Sequence, residues 1–249
     1  MFRLGKKDAR PEAVKLKFGA YFSAPNLPLT PAVFGRPWLV AQPGMLGNDS
    51  ASDCVQAGGA HETMLWTAES TGAPAPFTIA NVLADYLAMN PGDTAYTDGT
   101  DMQAAAAYRQ KIGLIDASGK RHKIGPYVAL NAGDVAQISK AAFLMGAVGL
   151  GVQLPTSAID QFNRAEPFSV VTGGGIEGGH YMPLVGRNSV GNFLVWTWGR
   201  LHAVEPGWLT TWMDEGIAYL SLERLRNSVS PQGFDEATLL RDLTALQSA

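Results

Sequence analysis

The sequence predicts an α+β fold in which helices come first and a mostly antiparallel sheet follows. Three observations predict it. Helical periodicity dominates up to residue 146. Five short β-patterned runs then follow one another, separated by Gly, Asn or Pro. The 249 residues, 46% hydrophobic and 16% charged, supply apolar material for one large domain.

The elements follow in order. Six prolines (11, 25, 28, 31, 37 and 43) fall among aromatic residues, so residues 1–43 read as an extended arm lying across a surface, its own or a partner's. The main domain is expected over 44–228. Its first helix spans 53–68, with Val55, Ala57, Ala60, Met64 and Leu65 as an apolar stripe and Cys54 in the first turn. Further helices are expected at 78–89, at 101–112 behind Asp101, and at 133–146, closed by Gly146. Strands are expected at 147–154, 168–173, 180–187, 192–199 and 215–222. The tail 229–249 carries Leu239, Leu240, Leu243 and Leu246 on one face of an amphipathic helix.

Composition excludes several function classes. A net charge of −3 without a dense basic patch gives no footprint for nucleic acid. No run reaches eighteen purely apolar residues, so no membrane span is expected. The basic start (Arg3, Lys6, Lys7, Arg10) is not followed by the apolar core of a secretory signal. The expected location is the cytoplasm or an assembly formed there. The lone cysteine allows no internal disulfide.

That cysteine is the first chemical candidate, because helix N-terminal amides favour a thiolate and a nearby imidazolium favours it more. Of the four histidines, His61 lies two turns along the same expected helix, roughly 10 Å from Cys54, and reads as structural. His122 sits in the basic stretch "GKRHK" and reads as a solvated loop residue; His202 reads as exposed or half buried. His180 differs: Gly178 and Gly179 precede it and a strand pattern follows, so its ring can project beside an open backbone. Asp49, Asp53 and Glu62 read as cap, turn and surface groups, and a charged Asp53 would raise the thiol's pKa. "GGGIEG" (173–178) leads into a strand pattern rather than a helix, which argues against a dinucleotide site. "HETML" has Leu65 where a zinc helix needs its second histidine, so no metal and no cofactor are expected.

A helix-start cysteine followed 126 residues later by a strand-start histidine resembles the papain-like cysteine peptidases. The resemblance rests on "GMLGNDSASDC", "GGHYMPLVG", "VWTWG" and "MDEGIAYLS", between Gly44 and Ser221, which are also similar to an uncharacterised set of bacterial and phage proteins. It implies a central Cys-bearing helix packed on a half-barrel sheet. It also implies Cys54 as nucleophile, His180 as acid and base, Asn48 in the slot of the oxyanion-holding Gln, and Trp198-Gly199 after the histidine's neighbouring strand. One position departs: the asparagine that orients the imidazole in the family falls on Trp196, whose indole has no acceptor. Two readings follow. The chain is a thiol hydrolase of peptide or amide bonds, weakened by the missing asparagine. Otherwise it is a catalytically degenerate structural or binding subunit, such as a phage head or tail component, gripping a protein partner or its own copies through the arm and tail. The cell-wall amidases that begin a helix with Asp-Cys fit less well, since their histidine follows sooner.

Overall fold

The computed structural model describes residues 2–10, 12–22 and 27–224. The amphipathic tail expected at 229–249 lies outside the described residues.

The first elements are short: α1 (Gly19–Phe22), β1 (Phe34–Gly35) and a 3-10 turn at Pro37–Leu39. The arm lies on the chain's own body and contributes Val14, Phe18 and Phe34 to the core. Next come α2 (Cys54–Thr71), α3 (Ile79–Met89) and α4 (Met102–Lys111). Thr78 and Asp101 cap α3 and α4, accepting from the backbone N–H groups of Asn81 and Ala104. Helix α2 ends at Gly72, where a left-handed φ of 87° suits glycine.

A small hairpin, β2 (Leu114–Ile115) and β3 (Arg121–His122), leads into β4 (Ile124–Leu130). Then follow α5 (Val135–Met145), β5 (Val148–Pro155), α6 (Thr156–Asn163), β6 (Ile176–Arg187), β7 (Phe193–Thr197), β8 (Arg200–Val204), α7 (Pro206–Trp212) and β9 (Met213–Ser221). The main sheet has the order β4-β9-β5-β6-β7-β8, with β1 beside β6, and every pairing is antiparallel. The expected α+β class with a mostly antiparallel sheet is the one observed. The run 168–173 is not a strand; only Phe168 makes an isolated bridge, to Val204, while Gly173 and Gly174 break the backbone with positive φ.

Two apolar layers sandwich the sheet. One gathers Ile138, Leu144, Leu150, Met182, Leu184 and Trp208 on the side of α5 and α7. The other gathers Leu65, Trp66, Tyr181, Trp196, Ile217 and Tyr219 under α2. Strand alternation explains β5: Val148, Leu150, Val152 and Leu154 fill the first layer. Gly149 and Gly151 face the other way, where a Cβ would fall 2.1 Å from the Tyr181 hydroxyl or 2.7 Å from Lys6 Cε. Two glycines in "VGLGV" thus let a ring and a lysine stem lie flat on the strand.

Helix α2 is buried on nearly every side. Glu62, expected at the surface, is fully buried and bonded to Arg109 Nη1 at 2.6 Å and to the Tyr181 hydroxyl at 2.7 Å. Arg109 also stacks over the Tyr219 ring at 4.3 Å. A buried carboxylate is stable only when paired, and this pair joins α2, α4, β6 and β9.

Candidate functional site

Cys54 is the first residue of α2 and only 1% exposed. Asp53 occupies the N-cap position, yet its side chain makes no capping hydrogen bond. Burial raises the Asp53 carboxyl to about 8, against a smaller downward pull from the neighbouring Asn48 amide. Asp53 thus keeps the expected cap position, but it is fully buried and its side chain does not cap, which corrects its expected place among cap, turn and surface groups. Asn48 is itself buried, and its Nδ2 forms no well-directed hydrogen bond despite lying near Asp53. A buried amide donor without a partner is poised for one.

Burial pushes the Cys54 thiol up to about 12, although backbone N–H groups of Tyr181 and Gly5 reach the sulfur and pull the other way. Tyr181 follows His180 on β6, which begins at Ile176, so His180 lies inside the strand rather than at its expected start, and this part of the strand runs past the sulfur. His180 is completely buried and lowered to about 3 by desolvation. Its Nε2 lies 2.8 Å from Thr197 Oγ1, while its Nδ1 has no hydrogen-bond partner.

Sequence reasoning missed Thr197. It considered only Trp196 for the orienting position, but Trp196 lies in the layer under α2, its ring 6.0 Å from His61. Thr197 is next along the strand and points the other way. The sequence signal was the alternation of "WTWG" itself. Thr197 pairs with Arg200 across a two-residue hairpin whose central residues, Trp198 and Gly199, both have positive φ (43° and 75°). Both signs match a type I′ turn. The turn lays the Trp198 indole on His180, centroids 4.6 Å apart and planes within 18°. Gly199 reaches the segment before Asn48 through a bridge to Gly44.

The other histidines hold the frame. His61 Nε2 lies 3.1 and 3.0 Å from the carbonyl oxygens of Pro43 and Gly44, tying down that segment. His122 is buried rather than solvated, between Asp116 at 3.0 Å and Glu223 at 2.6 Å. His202 is buried too, with Phe162 and Phe168 packed around it at 5.2 and 4.2 Å.

The N-terminal segment crosses this site. Phe2 stacks on Trp198 at 4.6 Å and meets Phe162 edge-on. Gly5 passes so close to the helix start that a Cβ on it would fall 1.9 Å from Ser52 O. Lys6 N–H donates to Gly179 O at 3.1 Å, and a Cβ at Gly179 would fall 2.2 Å from Lys6 O. On the other wall Lys7 N–H donates to Thr100 O, and Thr100 N–H to Gly5 O. Arg10 closes the run with a two-pronged ion pair to Asp101 at 2.6 and 2.5 Å. Among the described residues no group of His, Cys, Asp and Glu is placed to hold a metal, and no helix is long and apolar enough to cross a membrane.

No family model matches the sequence, and no curated protein matches it. Solved structures do. Xylellain, a cysteine protease from Xylella fastidiosa, superposes with a TM-score of 0.66 at 12% identity, covering 89% of this chain and 97% of that one. The ragweed pollen cysteine protease Amb a 11, solved in its proform, gives 0.59 at 18% identity over 84% and 70%. The Carica candamarcensis cysteine protease CMS1MS2, solved in complex with E-64, gives 0.55 at 12% over 77% and 99%. The chain has the fold of the papain-like cysteine proteases.

Proposed function

We propose that this chain is a thiol hydrolase of peptide or amide bonds, with Cys54 as nucleophile and His180 as its proton partner, held closed by residues 2–10. One observation carries the reading: an extended peptide lies in the cleft, bonded through its backbone to Gly179 and Thr100, with the Gly5 N–H reaching the Cys54 sulfur. A groove that binds extended backbone on both walls beside a helix-start thiol is built for a peptide substrate.

The chemistry follows from the site. With Nε2–H donating to Thr197, Nδ1 carries the lone pair that accepts the Cys54 proton. The sulfur then attacks the carbonyl carbon; Asn48 Nδ2 and the Cys54 N–H hold the developing oxyanion. The imidazolium returns its proton to the departing amine, and water cleaves the thioester. In the closed chain burial pushes the thiol up to about 12 and the imidazole down to about 3, which favours the neutral form of both partners. Removing the covering segment rehydrates both groups, lowers the first pKa and raises the second.

The same burial favours a second reading, a degenerate papain-like subunit of an assembly such as a phage particle, in which Cys54 is core. Iodoacetamide labelling against pH separates the two. Wild type is expected to label slowly. Gly5→Val, whose side chain has no room beside Ser52, is expected to label at least tenfold faster, and His180→Ala in that background shifts the midpoint upward. Fast labelling is to be accompanied by cleavage of a peptide mixture. Equal, slow labelling of folded wild type and Gly5→Val supports the subunit instead.

A further inference from the structure

The side chain of Lys6 fills a slot beside the nucleophile that nothing in the reaction above uses. It is fully enclosed, its Nζ 3.0 Å from Asp214 Oδ2 and 3.4 Å from Glu215 Oε1. Its stem lies against Gly151, where any side chain would close the slot. The two carboxylates are fixed from behind: Gln103 donates to Glu215 Oε2 at 2.6 Å and Gln153 to Asp214 Oδ2 at 2.7 Å. Asp214 Oδ1 and the amide oxygen of Gln103 stay buried without a hydrogen-bond partner.

The backbone bonds that hold residues 5–7 are indifferent to side-chain identity, so they bind any extended peptide. The slot is not indifferent. When Lys6 leaves, two adjacent carboxylates, one of them 3% exposed, lose their cation, and a buried charge without its partner is strongly unfavourable. An apolar side chain entering there leaves them unpaired, and an acidic one adds repulsion. A long cationic side chain restores the pairing with the same geometry.

We propose that this slot selects a basic side chain, lysyl in the first instance, in the ligand peptide, and that Asp214, Glu215 and Gly151 set that specificity. The assignment rests on the thiol-hydrolase reading for its substrate, while the slot itself is testable without catalysis.

The test uses the full chain carrying Gly5→Val to free the cleft and Cys54→Ala to stop turnover. Lys6→Glu with Cys54→Ala serves as a second opened chain, and circular dichroism verifies the fold of both. The probes are two acetylated hexapeptides of sequence Arg-Leu-Gly-Lys-Lys-Asp, one with norleucine at the first lysine. Calorimetry is expected to give at least tenfold tighter binding of the lysyl peptide, with the preference lost on adding Glu215→Gln. Equal affinities, or no binding of either peptide to both opened chains, overturn the slot. A separate digestion of a peptide mixture by Gly5→Val with Cys54 intact is expected to favour substrates with a basic residue at one fixed position from the cut; cleavage without that bias also overturns it. Lysine-selective binding without any cleavage upholds the slot and sinks the hydrolase reading alone.

Discussion

A Thr197→Val substitution keeps the shape of the side chain beside His180 and deletes the hydroxyl bonded to Nε2. If Thr197 steers the ring, turnover by the opened chain falls on the order of 100-fold, the low end of what a positioned acid–base group contributes. Thr197→Ser should recover most of the rate. Comparing kcat and KM for the three chains checks it, because a merely structural role lowers stability without touching kcat. Asp53 gives a second residue-scale prediction. Its folded pKa of about 8 lies above the ordinary carboxylate value of about 3.9, so the folded state binds the extra proton between them. The stability attached to that proton is present at low pH and is lost as pH rises through that window, by up to about 1.4 kcal/mol per unit. Asp53→Asn, which cannot ionise, should flatten the fall in urea-derived stability between pH 5 and 8.

Elements are joined by two ionic clusters built on Glu62 and His122, which read from sequence alone as a surface and a solvated residue. Glu62 and Arg109 pin α2 to α4 beneath the sheet. Removing Glu62 leaves a buried guanidinium alone, so Glu62→Ala should cost about 3–5 kcal/mol in equilibrium unfolding. The clamp of His122 between Asp116 and Glu223 ties the β2–β3 hairpin to the chain just beyond β9, with Lys120 also bonded to Glu223 and Phe77 packed on the ring at 5.7 Å. Desolvation opposes the imidazolium, but the bonds to Glu223 and Asp116 outweigh it and the pKa is raised. For a raised histidine the stabilisation is whole below about pH 6.5 and is lost as pH rises through the folded pKa. Hydrogen exchange at the β2–β3 hairpin should therefore speed up on passing from pH 6 to alkaline pH. In His122→Gln the hairpin should exchange fast at both, after correction for intrinsic rates.

For the whole molecule, the segment 2–10 lies across the cleft that holds Cys54. Its grip combines Phe2 on Trp198, Lys6 in its slot and Arg10 on Asp101, so Phe2→Ala with Arg10→Ala should raise the labelling rate of Cys54 several-fold without lowering the melting midpoint of the core. An unchanged rate would show that Gly5 and Lys6 alone keep the site covered. The sequence by itself determined the order of the fold. Periodicity marked α2 to α5, alternation marked β5, β6, β7 and β9, and the spacing of Cys54, His180 and "TWG" pointed to the papain-like frame, because these are patterns along one chain. It did not show β4, β8, α6 or α7, which are short or carry proline and polar residues that pairing overrides. Nor could local reasoning reveal that Glu62 and His122 are buried, or that Lys6 lies against Asp214. Each depends on which residues distant in sequence become neighbours, and burial then fixes whether a titratable group is charged. The tertiary structure alone decided that the basic N-terminus, an arm by composition, is the peptide lying across the thiol.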